Sequence, residues 1–259
     1  MDLHTITALR RPGSRVELSL GPGAAVLAGG TWLFSEPQPE LHTLVDLRGL
    51  GWTPLEVTSG GLRIAATCTL RELAAWPAPP LLHYCCTALA GSFKIWHEAT
   101  VGGNICLGLP AGPMIAMAVA LDGIAVVWPA EGERRLPVAE FVTGVRRTAL
   151  GPGDVLRAVE IPDYALRART AYRRIALSPL GRSAALVIAR HDQDGRFSLT
   201  VTAATERPYL FRFPVVPSAV DLREALAGIE RWVADVHGAP DWREHVTGLL
   251  AEEIRVELS

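Results

Sequence analysis

No stretch of the 259 residues approaches the eighteen or so uncharged apolar positions that a membrane-spanning helix needs. Charge of one sign is missing too. Basic and acidic side chains number 25 and 27, for a net charge of −2, and the arginines are scattered rather than striped, so nucleic acid is not an expected partner. Met1-Asp2-Leu3-His4 has no basic segment leading into an apolar one, and the cytoplasm is the expected location. Cysteine is scarce: Cys68, Cys85, Cys86 and Cys106 match the spacing of neither a disulfide framework nor a metal site. Neighbours Cys85 and Cys86 sit in an apolar run read as helical, so buried, reduced thiols are expected, and no iron–sulfur cluster in this chain. The seven histidines are dispersed, and His42, His83 and His97 read as surface or core fillers. There is no Gly-Lys-Ser/Thr phosphate loop, no G-x-G-x-x-G between a strand and a helix, no G-x-S-x-G elbow and no H-E-x-x-H pair. A Rossmann nucleotide domain is therefore disfavoured.

What is present is a globular composition, 49% hydrophobic and 20% charged, with 24 Gly and 19 Pro that imply many turns. The length suffices for one large domain or two to three small ones. Short strands are expected at Ala25-Val26-Leu27-Ala28 and Thr43-Leu44-Val45-Asp46-Leu47. A hairpin follows across Ser59-Gly60-Gly61, where the flanking residues alternate apolar and polar. Thr69-Leu70-Arg71-Glu72 has the form of a capping box opening a helix. Further helices are expected over 80–90 and 111–121, the latter apolar nearly all round and so buried. A second hairpin turns at Glu131-Gly132-Glu133, and 155–161 reads as the last strand before Pro162-Asp163 breaks it. Beyond a boundary near 165 come three strand-like runs, 170–177, 183–190 and 197–204, then helical stretches at 220–236 and 242–258. Strands followed by helices describe an α+β layer.

Two glycine motifs stand out. In Val26-Leu27-Ala28-Gly29-Gly30-Thr31 a short apolar strand runs into paired glycines and a hydroxyl residue, so that backbone amides can converge on an anion with no Cβ in the way. Taken alone it reads as a tight turn. Ala99-Thr100-Val101-Gly102-Gly103-Asn104-Ile105 repeats the idea with a Thr before the glycines and an Asn after them. Two facing nests of N–H groups would clamp a dinucleotide's diphosphate without Lys or Arg.

At these motifs the sequence resembles the FAD-binding medium subunit of the molybdenum hydroxylases, the family of xanthine dehydrogenase and aerobic carbon monoxide dehydrogenase. Ala28 to Thr31 resembles that family's first pyrophosphate loop and Ala99 to Ile105 its second. Leu44-Val45-Asp46-Leu47, Leu62-Arg63-Ile64, the 155–162 strand and Ala171-Tyr172-Arg173-Arg174-Ile175-Ala176-Leu177 follow in the expected order. The resemblance implies an α+β, two-subdomain FAD-binding fold of the vanillyl-alcohol oxidase type over 1–165, its subdomains about 1–54 and 55–165. A small domain of a three-stranded antiparallel sheet with helices would follow over 166–259. It implies that Leu27, Ala28, Gly29, Gly30, Thr31, Trp32 and Leu33 lie along the adenosine diphosphate side, and that Thr100, Val101, Gly102, Gly103 and Asn104 meet it from the second loop. Leu156 would pack near the flavin, and Arg173 matches a position where the family has Lys or Arg near the cofactor. Partner subunits would carry molybdopterin and [2Fe-2S] clusters, with NAD or a quinone as acceptor.

The chain departs from the family pattern at Trp32 and Pro113, where the family has acids. Trp32 reads as a core or interface aromatic, with stacking on the cofactor as the other reading; Lys94 and Cys106 read as a surface charge and a packing residue. No acid–base pair or nucleophile stands out, which suits a cofactor-borne chemistry. Two rival readings remain: a non-catalytic assembly subunit that has lost FAD, and a stand-alone flavin reductase of the same fold.

Overall fold

The hairpin expected at Ser59-Gly60-Gly61 joins strands Leu55–Thr58 and Gly61–Ala65. Gly61 turns with φ +140°, and a Cβ there would run into the Ile161 carbonyl at 2.0 Å. In the computed structural model, which describes residues 3–89 and 93–259, this hairpin is one edge of a five-stranded antiparallel sheet. Val155–Pro162, Ile124–Trp128 and Arg134–Pro137 complete it in that order. A bulge between Leu156 and Ala158 interrupts the central strand. Before this sheet lies a smaller parallel one, ordered Ala8–Arg10, Thr43–Asp46, Ala24–Leu27. Asp46 ends its middle strand and caps the following 3-10 turn, its Oδ1 accepting from Arg48 N at 3.0 Å.

The helices between Ala65 and Ile124 start where local chemistry says they should. Thr69 accepts from Glu72 N at 3.2 Å while Glu72 Oε2 accepts from Thr69 N at 2.8 Å, the reciprocal capping box of Leu70–Ala74. Pro80 and Pro113 each stand at a first helical position, where a missing N–H costs nothing. The first of these helices runs Pro80–Thr87, and its expected end at Ala90 lies outside the described residues. Helix Pro113–Ala120 is buried at every position. Two helices were not expected, Phe93–Glu98 and Val101–Leu107, the second built from the glycine motif itself.

The C-terminal sheet begins at Arg169 and is an antiparallel meander of four strands: Arg169–Ala176, Ser183–His191, Phe197–Thr202 and Tyr209–Phe213. Three strands were expected; the fourth, Tyr209–Phe213, adds a partly exposed edge. Strand Ser183–His191 is buried on both faces, alternating Leu186 and Ile188 toward the core around Pro113–Ala120 and Val187 and Ala189 toward helices Ala219–Ala227 and Pro240–Leu258. Leu186, Val187 and Ile188 each contribute about 1.5–3 kcal/mol, so this strand binds the two cores together.

The helix expected over 220–236 stops at Ala227. The segment beyond it lies along residues 204–206, Val233 N donating to Ala204 O at 2.8 Å and Glu206 N to Arg231 O at 3.1 Å. Its Asp235 carboxylate pairs with the buried guanidinium of Arg243, which also donates to the carbonyls of Ala203 (2.9 Å), Gly238 (3.1 Å) and Ala184. Backbone groups of the segment are thus engaged by residues 204–206 and not by helical bonds of their own.

A second buried arginine ties the C-terminal sheet to the end of helix Pro113–Ala120. Arg190 donates to Ala120 O (2.8 Å), Asp192 (2.7 Å) and Asp122, while Asp122 also accepts from Arg212 (2.6 Å) and Tyr164 (2.8 Å). Burial raises the Asp122 carboxyl, and the hydrogen bonds from Arg212 and Arg190 more than reverse it, holding it below the usual carboxylate range. No helix among the described residues is long and apolar enough to cross a membrane.

Candidate functional site

A cavity of about 610 Å³ opens where the three sheets meet, within the size range of small-molecule and cofactor sites. Its wall draws on Ala28, Gly29, Gly30, Thr31, Trp32 and Leu33 from the end of strand Ala24–Leu27. Thr100, Gly102, Gly103 and Asn104 line it from helix Val101–Leu107 and its cap, Leu156 from the central sheet, and Arg182 and Ser183 from the C-terminal sheet. Apolar side chains such as Ile95, Leu107, Leu109 and Leu150 fill the remainder of the lining.

The first motif leaves its strand through Gly29, where a Cβ would lie 1.6 Å from the Glu98 carbonyl oxygen, and through Gly30, at φ +69°. Only glycine passes both points. A single helical turn follows, closed by Phe34 N donating to Gly30 O at 2.8 Å. Among the described residues no acceptor takes the N–H of Gly29, Gly30, Thr31, Trp32 or Leu33. Five consecutive amides, some of them the orphan donors of a helical turn, thus stand at the cavity wall.

The second motif is arranged otherwise. Thr100 is a helix N-cap: its Oγ1 accepts from Gly103 N at 3.0 Å. Val101 N donates to Cys68 O (2.9 Å), Gly102 N to Ala66 O (2.9 Å) and Asn104 N to Thr100 O (3.0 Å). The expectation of a second nest of free amides is therefore corrected, because every N–H from Val101 to Asn104 already has an acceptor. What the motif presents instead is smooth glycine surface with two side-chain donors. The Thr100 hydroxyl accepts from Gly103 and keeps its own proton to give. Asn104 Oδ1 accepts from Met114 N at 3.0 Å, which fixes the amide's orientation and leaves Nδ2 as a donor.

Three expected contacts do not line the cavity. Leu27 and Val101 are buried core residues, with Val101 in the main core cluster. Arg173 faces the opposite side of its sheet, paired with Glu253 at 3.1 Å and Glu257 at 2.7 Å on helix Pro240–Leu258. The alternation of a strand explains it: Arg173 stands opposite Val187, on the face that packs against that helix. The cations that do line the cavity, Arg146 and Arg182, were missed. Both sit on turns, where no periodicity marks a direction. The departures Trp32 and Pro113 resolve differently: Trp32 lines the cavity with its Nε1 buried and unpartnered, whereas Pro113 is buried at a helix start.

Cys106 also lines the cavity, and burial pushes its thiol up to about 12, which makes it inert packing. Beside the first motif, Asp46 is fully buried. Burial raises its carboxyl, and hydrogen bonds from Arg48 together with Arg11 outweigh that, leaving it below its ordinary value.

A glycine-walled cleft with unclaimed amides on one side and an apolar back defines a nucleotide-cofactor site. Residues 10–164 match the family described as the FAD binding domain in molybdopterin dehydrogenase, and the chain belongs to that family. The carbon monoxide dehydrogenase medium chain of Hydrogenophaga pseudoflava is 24% identical over 165 residues, covering 60% of this chain and 57% of that one. The medium chain of Afipia carboxidovorans is 28% identical over 152 residues, covering 55% and 52%. The matched region thus spans about half the length of these curated relatives. Among solved structures, quinoline 2-oxidoreductase from Pseudomonas putida 86 superimposes with a TM-score of 0.82 at 20% identity, over 97% of this chain and 96% of that one. Carbon monoxide dehydrogenase from Hydrogenophaga pseudoflava gives the same TM-score of 0.82 at 20% identity, over 98% and 96%. These likenesses extend the shared fold through the C-terminal sheet.

Proposed function

We propose that this chain is the FAD-carrying medium subunit of a molybdopterin-dependent hydroxylase or dehydrogenase complex. The observation that carries the reading is the row of unclaimed amides from Gly29 to Leu33 on the wall of a cavity in a chain of this family. A dinucleotide fits what is there: acceptor oxygens for those amides, and glycines where a Cβ would intrude.

In this reading the amides of Gly29, Gly30 and Thr31, with Trp32 and Leu33 beside them, hold the diphosphate. The Thr100 hydroxyl and Asn104 Nδ2 donate from the other wall. Leu156 and the apolar lining pack against the ring system and exclude water. FAD, when bound, supplies the capacity to accept and release electrons, while the protein supplies position and electrostatics. Electrons would arrive from [2Fe-2S] clusters on one partner subunit, originate at a molybdopterin centre on another, and leave to NAD, a quinone or another acceptor. The chain's own residues perform no bond-making on the substrate.

Incubating the purified chain with FAD and removing free ligand is expected to leave a flavin absorbance spectrum at one equivalent. A colourless protein would sink the proposal and favour an assembly subunit without flavin. Purification from the native source is expected to bring iron and molybdenum with the chain; a metal-free monomer would remove the complex.

A further inference from the structure

Arg146 stands at the tip of the small hairpin made by Val142–Gly144 and Arg147–Thr148, in the left-handed region at φ +55°. That conformation is uncommon outside Gly, Asn and Asp and persists where neighbours impose it. The imposing contact is Arg146 N donating to Gly108 O at 2.8 Å, where Gly108 ends helix Val101–Leu107 with φ +63°. The hairpin tip is thereby fastened to the far end of the second glycine motif.

The side chain reaches the other way, to the first motif. Its guanidinium lies 5.8 Å from the Trp32 ring centroid and 3.7 Å from the Glu36 carboxylate, both on the turn that follows Gly30. With the Arg146 side chain 55% exposed, that ion pair is weak and exchangeable. Trp32 Nε1, on the same wall, has no acceptor. Of the two cations lining the cavity, Arg146 and Arg182, only Arg146 contacts the segment that follows the first motif among the described residues. The lining carboxylate Asp154 is already held by Arg134 at 2.8 Å.

We propose that Arg146 is the counter-cation of the diphosphate subsite: on binding, its guanidinium leaves Glu36 and pairs with the phosphates seated on the first-motif amides. Amide dipoles bring only partial charge to a dianion, and a formal cation held nearby by a constrained backbone completes the neutralisation. Because its backbone is tied to the second motif, the same residue couples the two walls of the cleft. The inference rests on the FAD reading and assigns a residue within it.

The test compares Arg146→Gly, which removes the cation and suits the left-handed backbone, with Arg146→Lys, which keeps the charge. FAD and ADP are titrated against the full chain at low and high salt, with thermal unfolding of each variant as a check on folding. R146G is expected to weaken FAD and ADP in parallel by about tenfold at low salt, and to flatten the salt dependence of both. R146K is expected to recover part of the loss. Affinities for both ligands within about twofold of the unaltered chain would overturn the assignment, as would weakened FAD with unchanged ADP, which would put the cation at the flavin end. Failure of the unaltered chain to bind FAD would instead sink the flavin reading itself, and this inference with it.

Discussion

Gly29 and Gly30 end a strand with their amide protons unclaimed, whereas Gly102 and Gly103 begin a helix with theirs already bonded to Ala66 O and Thr100 Oγ1. Both pairs face one cavity, yet glycine is needed for different reasons. At the first motif it lets the chain turn through φ +69° and slip past the Glu98 carbonyl, leaving donors pointing outward. At the second it lets a helix lie against Ala66, where a Cβ on Gly102 would come within 2.4 Å of the Ala66 Cβ. One motif leaves its amides unclaimed at the cavity wall, while the other uses its amides to hold a helix in place. Similar letters in a sequence thus conceal which backbone groups are still available, and hydrogen-bond accounting recovers it.

That contrast can be broken by substitution. The largest effect on stability is expected from Gly102→Ala, which forces backbone apart in a closed core: a loss of about 3 kcal/mol in urea unfolding. Gly30→Ala meets the movable Phe34 ring and a strained φ, costing about 1–2 kcal/mol, but it re-aims free amides and is expected to lower FAD affinity more than tenfold. A Gly30→Ala protein with intact FAD affinity, or a Gly102→Ala protein of unchanged stability, would erase the distinction. Next comes Thr100→Ala, which removes an N-cap worth about 1 kcal/mol; Thr100→Ser should restore it, and denaturant midpoints for the two decide.

Between the two motifs, the smallest difference expected is a pH response at the first. The Asp46 carboxyl beneath it sits below its unfolded value of about 3.9. Its contribution is therefore complete well above that pH and is lost as pH falls through the lower, folded value. Asp46→Asn is expected to flatten the acid limb of the stability curve. The second motif, held by Thr100 and Asn104, has no titrating group in its contacts. If acid unfolding of D46N follows the unaltered chain at every pH, Asp46 is not the group responsible.

Much of the architecture was legible where a local pattern and the tertiary environment agree. The Thr69 and Glu72 capping box, the all-apolar 111–121 segment and the hairpins at Gly60-Gly61 and Gly132 are cases where neighbours in sequence decide the structure. The misses share a cause. Gly-Gly in Val101–Leu107 carries a poor helix propensity that Thr100 capping and packing on Ala66 override. Residues 228–236 look helical, but their backbone pairs with the distant 204–206 segment, and Tyr209–Phe213 joins the sheet through pairing with Phe197–Thr202. Of the residues that line the cavity, Gly29, Gly30, Thr31, Thr100 and Asn104 were readable from the composition of the glycine motifs, and Trp32 and Leu33 through the family resemblance. Arg146 was not, because its place depends on a hairpin meeting the end of a helix some forty residues earlier in the chain.

Helix Pro113–Ala120 has no exposed face, and Asp122 just beyond it is gripped by Arg190 and Arg212 from the C-terminal sheet. A junction near residue 165 is consequently not a place where pieces from different relatives can be exchanged freely. A chimera joined there would inherit an interface whose halves must match, so Asp122 travels with Arg190 and Arg212 or not at all.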